Sequence, residues 1–63
     1  MNKRQEQILK RIKIAHAKND HTMNAEKLRK ELGCSRQLVS RETLGLEAMG
    51  IIIRQPKYRP VDN

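Results

Sequence analysis

The order of local signals along the chain predicts a mainly α fold with a small β-hairpin: three helices, then two short strands. Three observations carry this reading. Apolar residues recur at helical spacing in three separate runs, and Gly33 and Gly50 close the second and third of them. After Gly50 the pattern changes to a β-branched triplet, Ile51-Ile52-Ile53. With 63 residues there is material for one core only, because a chain of this size buries only about 60% of its unfolded surface. The expectation is one domain over residues 1–63, which excludes multi-domain enzymes.

The first helix is expected over about 3–18. That stretch lacks Gly and Pro, and Ile8, Ile12 and Ala15 keep the i, i+4, i+7 spacing with Leu9 beside them. Asn19-Asp20 should end it, since both side chains bond readily to nearby backbone in turns. His21-Thr22-Met23 reads as a brief extended piece. Asn24 is a suitable N-cap for a second helix over 25–32, where Ala25, Leu28 and Leu32 share a face before Gly33. Ser35 is the next N-cap, and Val39, Thr43, Leu46 and Met49 mark the inner face of a third helix over 36–49. Two helices joined by a short Gly-containing turn form a helix-turn-helix. Residues 51–59 then read as a hairpin with a basic tip around Pro56-Lys57, and residues 60–63 as a loose tail.

Fourteen Lys+Arg against seven Asp+Glu leave a net charge of +7 with both histidines neutral. So basic a surface implies a polyanionic partner. Charged residues at 33% and hydrophobic ones at 37% exclude both a membrane span and a chain too polar to fold. The N-terminus has no apolar stretch of the kind a secretory signal needs, so the expected compartment is the cytoplasm, on the nucleoid. Tyr58 is the one aromatic residue, which argues against binders that stack single-stranded bases on aromatic rings. Cys34 is alone and closes no intrachain disulfide. His16, His21 and Cys34 lack metal-ligand spacing, and no set of residues meets the roles of an active site. The chain is therefore expected to be no enzyme and to need no metal or cofactor.

The run Leu32-Gly33-Cys34-Ser35-Arg36-Gln37-Leu38-Val39-Ser40-Arg41-Glu42 and its continuation Leu46-Glu47-Ala48-Met49-Gly50-Ile51-Ile52-Ile53-Arg54 resemble the winged helix-turn-helix. More narrowly, they are similar to the N-terminal domain of biotin repressor/ligases and deoxyribonucleoside-operon-type regulators. There a Leu-Gly-X-Ser-Arg turn precedes the recognition helix, and Leu-X-X-X-Gly-Ile leads into the wing. The resemblance covers about Ile8 to Arg59 and implies a sequence-specific DNA-binding domain, usually of a transcriptional regulator. By the same resemblance Ser35 takes the cap and phosphate-contact position. Arg36, Gln37, Ser40 and Arg41 take the face that meets the major groove. Two positions depart from the pattern. Thr43 stands where a large apolar residue is usual, and Leu44 is apolar where a polar residue is expected. Gly45 follows, at a cost of roughly 1 kcal/mol relative to Ala inside a helix. Either the helix is locally rotated so that Leu44 packs, or Leu44 is exposed for a partner.

The chemistry of these residue types points the same way. A major groove about 12 Å wide admits one helix. Arg donates a bidentate pair to guanine and Gln to adenine, while Ser is adaptable, which makes Arg36, Gln37, Ser40 and Arg41 the candidate base contacts. Ser35 at the helix start, with Arg54, Lys57, Tyr58 and Arg59 on the wing, are the candidate backbone contacts. Tyr58 is also the natural plug beneath the wing. Leu38 and Leu44 are candidate partner contacts, to a thymine methyl or to a second copy in a homodimer. The expected function is sequence-specific binding of double-stranded DNA by a small regulator. Two alternatives are a winged-helix protein-interaction module and a nucleoid or replication-associated protein with little sequence preference.

Overall fold

The computed structural model describes residues 1–20 and 23–61. His21 and Thr22 of the expected extended piece, and Asp62 and Asn63 of the expected tail, lie outside the described residues. The elements are helices α1 (Lys3–Ala17), α2 (Ala25–Leu32) and α3 (Arg36–Ala48), then strands β1 (Ile52–Ile53) and β2 (Arg59–Pro60). Three helices followed by an antiparallel hairpin is the topology of a winged helix-turn-helix.

Each helix starts on a side-chain cap. Asn2, Asn24 and Ser35 accept hydrogen bonds from the backbone N–H of Gln5, Lys27 and Leu38, satisfying donors that a helix start leaves unpaired. At α1 the cap is reciprocal: Gln5 Oε1 accepts from the Asn2 backbone N–H at 3.1 Å while Asn2 Oδ1 accepts from Gln5 N at 2.7 Å. The helix ends are as specific. Gly33 ends α2 at φ +64°, a left-handed conformation that costs glycine little because it has no Cβ. Past α3, Gly50 at φ +75° lets its own N–H reach Glu47 O at 2.9 Å and the Ile51 N–H reach Leu46 O at 3.0 Å. This is the paired bonding of a Schellman ending.

One core joins the elements. Ile8, Ile12 and Ala15 of α1, Leu28 of α2, Val39, Thr43 and Leu46 of α3, Met23 and Ile52 are buried. Burying each large aliphatic side chain contributes about 1.5–3 kcal/mol. Leu9, Leu32, Cys34, Ile51 and Tyr58 pack around this group. Thr43 is the fully buried polar residue, and its hydroxyl donates to Val39 O at 2.8 Å, one turn back, so it lies in the core without an unmet donor. Met49, expected on the inner face, is half exposed. The helix ends at Ala48, and Met49 is rotated off the stripe formed by Val39, Thr43 and Leu46.

The hairpin is longer than expected at its far end. Pro60, assigned to the tail, pairs with Ile52 in β2, and Val61 N donates to Ile51 O at 2.9 Å. Proline is tolerated there because β2 is an edge strand. The backbone N–H of Tyr58 donates to Met23 O at 3.3 Å, tying the wing to the segment before α2. No helix among the described residues is long and apolar enough to cross a membrane.

Candidate nucleic-acid interface

The site is built on α3, whose attachment decides which side chains face outward. Its inner stripe is Val39, Thr43 and Leu46. At 3.6 residues per turn, the opposite side is occupied by Gln37, Arg41, Leu44 and Ala48, within an arc of about 60°. All four are exposed, as are Arg36 and Ser40 beside them. The four base-contact candidates thus share one open surface at the N-terminal half of α3. Ser35 begins it: Ser35 Oγ accepts the Leu38 N–H at 3.1 Å, which leaves its hydroxyl hydrogen available to donate. Leu38 is partly buried on the flank, whereas Leu44 is 53% exposed. Of the two arrangements open for Leu44, the exposed one holds. Thr43 takes the core position because its hydroxyl has the Val39 carbonyl to bond to.

Acidic residues are kept off this face. The two carboxylates of α3 lie on its flanks and are drawn to neighbours: Glu42 Oε2 accepts from Asn2 Nδ2 at 3.0 Å, and Glu47 Oε1 lies 3.3 Å from Arg54 Nε. Arg36 and Arg41 have no carboxylate within ion-pair distance among the described residues. Neither is drawn into an ion pair, and Arg36 still acts on Glu26 of α2 through its charge.

The basic residues of α2 differ. Lys27 pairs with Asp20, and Glu26 accepts from Arg29 Nη2 at 2.6 Å with Lys30 at 4.0 Å. The Arg29 hydrogen bond, with the charges of Arg29, Lys30 and Arg36, holds the Glu26 carboxyl below its ordinary value, and Arg29 is raised in return, chiefly by Glu26. On α1, Arg11 faces Glu31 at 3.7 Å.

The wing divides its candidates. Arg59 is exposed on β2 with no carboxylate partner among the described residues, and Lys57 sits at the hairpin tip. Arg54 points back toward Glu47 at the end of α3, with its Nε shielded from solvent. Tyr58 packs against the core as the expected plug, its hydroxyl 3.5 Å from Thr43 Oγ1. Sequence reasoning did not identify Asn2 and Gln5, which anchor α1 against α3. The pattern Asn2-Lys3-Arg4-Gln5, a cap residue followed three positions later by Gln, was the available signal. Gly45 is explained here too: a Cβ at this position would lie 2.9 Å from Gln5 Nε2. Among the described residues no group of three His, Cys, Asp or Glu side chains could hold a metal, and His21 lies outside those residues.

Compared with known proteins, the chain significantly matches no family model, no curated protein and no solved structure.

Proposed function

We propose that the protein is a small regulator that binds double-stranded DNA in a sequence-specific manner, laying α3 in the major groove and the wing on the flanking backbone. The observation that carries this reading is the outward face of α3. Arg36, Gln37, Ser40 and Arg41 are exposed together there, with both acids of the helix diverted to its flanks. An acid-free face bearing bidentate donors matches the donor and acceptor pattern of base edges in the major groove. A helix about 10–12 Å across fits a groove about 12 Å wide. The net charge of +7 supplies the general attraction to phosphates. The likeness of the Leu32–Arg54 run to biotin repressor/ligases and deoxyribonucleoside-operon-type regulators supports the same reading. One module of this size contacts few base pairs, so a homodimer or tandem sites suits a specific operator.

Selection from a random duplex library tests this directly. An enriched sequence is expected, on which Gln37→Ala and Arg41→Ala each lose about 1–3 kcal/mol of binding while binding scrambled DNA like wild type. If no sequence is enriched, and both variants bind all duplexes like the parent, the specific-reader function fails and a nonspecific DNA-binding role replaces it.

A further inference from the structure

Leu44 is a large apolar side chain, 53% exposed, at the middle of a polar helix face. It is one helical turn beyond Ser40 and Arg41, about 5 Å further along the axis, and within the same arc as Gln37. The core does not use it, since Thr43 and Leu46 on either side are the buried positions. The other exposed large apolar residues lie elsewhere: Met1 and Ile14 belong to the α1 region, and Met49 lies past the end of α3. The apolar area around Leu44 is therefore one side chain and the methyl of Ala48. That is far below the several hundred Å² of a protein-docking patch. Its neighbours Arg41, Gln37 and Ser40 would also have to lose their water against an apolar partner, which favours a polar, anionic surface with an isolated apolar feature. The major groove provides such a feature in the 5-methyl group of thymine, which projects among the hydrogen-bonding edges of the bases.

We propose that Leu44 is a specificity-determining residue that packs against a thymine 5-methyl group, one helical turn from the bases met by Ser40 and Arg41. This rests on the duplex-reading function proposed above. It explains why an apolar residue occupies a position where solvent alone would favour a polar one.

The test uses the sequence enriched from the random duplex library, remade with each thymine replaced in turn by deoxyuridine, which removes the methyl and keeps the base-pairing edge. At one or two positions the replacement should weaken wild-type binding about fourfold, the scale of one buried methyl group. Leu44→Ala should bind the unmodified site with a similar loss and be insensitive to deoxyuridine at those same positions. The DNA substitution leaves the protein untouched, so the first arm is independent of any effect of the variant on folding. Equal responses of wild type and Leu44→Ala at every thymine overturn the inference while leaving the regulator function intact. So does a change in self-association on Leu44→Ala without a change in deoxyuridine response, which would assign the residue to a second copy of the chain. Failure to enrich any sequence overturns both proposals.

Discussion

Lys27, Arg29 and Lys30 on α2 each lie against a carboxylate, Asp20 or Glu26, whereas Arg36 and Arg41 on α3 have none within ion-pair distance among the described residues. Both helices are short and exposed on one side; α2 carries three basic residues against two acidic ones, and α3 two against two. They differ in where their acids go. On α2, Glu26 sits three and four residues before Arg29 and Lys30, the spacing at which helical side chains meet. On α3, Glu42 and Glu47 are held by Asn2 and Arg54 from other elements, so Arg36 and Arg41 form no ion pair with the acids of their own helix. Counting charge thus overstates α2 and understates α3. Neutralised bases contribute little directed attraction, while uncompensated ones on a shared face define where a polyanion can be held.

Under the proposed function α2 supports and α3 reads, and the largest effect that can break this division concerns the core. Leu28 is the fully buried residue of α2. Leu28→Ala should cost about 2–5 kcal/mol of unfolding free energy in a denaturant titration. Duplex affinity per folded molecule should stay unchanged. A loss of affinity in the folded fraction would place α2 in the interface and end the distinction.

A smaller effect sharpens how α3 is fastened. Gly45→Ala should gain helix propensity, about 1 kcal/mol in an unhindered helix. In this chain the new methyl would lie 2.9 Å from Gln5 Nε2, so that amide, whose Oε1 accepts from the Asn2 backbone N–H, must shift to admit it. The gain should therefore be partly offset in the parent and appear in full in a Gln5→Ala background. Thermal or denaturant unfolding of the four proteins reads this coupling, and additive effects would remove Gln5 from the joint between α1 and α3.

The smallest expected effect compares single surface bases. Arg59→Ala should make the slope of log affinity against log salt shallower by about 0.9, as one lost phosphate contact does. Arg29→Ala should leave the slope nearly unchanged, because Arg29 is held by both carboxylate oxygens of Glu26. Equal slopes for the two variants would show that pairing within the protein does not predict which bases meet DNA.

Much of the architecture was legible from local patterns. The second helix was predicted over 25–32 and occupies Ala25–Leu32, because its cap Asn24 and its stop Gly33 are both local signals. The third helix was placed within one residue of its end by Ser35 and Gly50. Pro60 and Met49 depart from what their local patterns predict. Pro60 reads as the first residue of a loose tail, yet it pairs with Ile52 on an edge strand. Met49 kept the nominal spacing of the inner stripe, but the helix ended before that turn could be covered. Arg54, grouped with Lys57 and Arg59 as a candidate backbone contact, lies beside Glu47, a neighbour that the spacing along the chain does not reveal.

The sequence by itself determined the order of elements, the helix starts and stops, and which side-chain types α3 carries at each position of its turn. These depend on interactions within a few positions along the chain, where cap, period and backbone preference act. Only the tertiary structure decided which charges remain available. Glu42 is forty positions from Asn2, and Gly45 forty from the Gln5 side chain it accommodates. Tertiary structure also decided the exposure of Leu44, through the burial of Thr43 against its own helix carbonyl and beneath the wing. Packing fixes the rotation of a helix about its axis, and that rotation selects which of its side chains point outward.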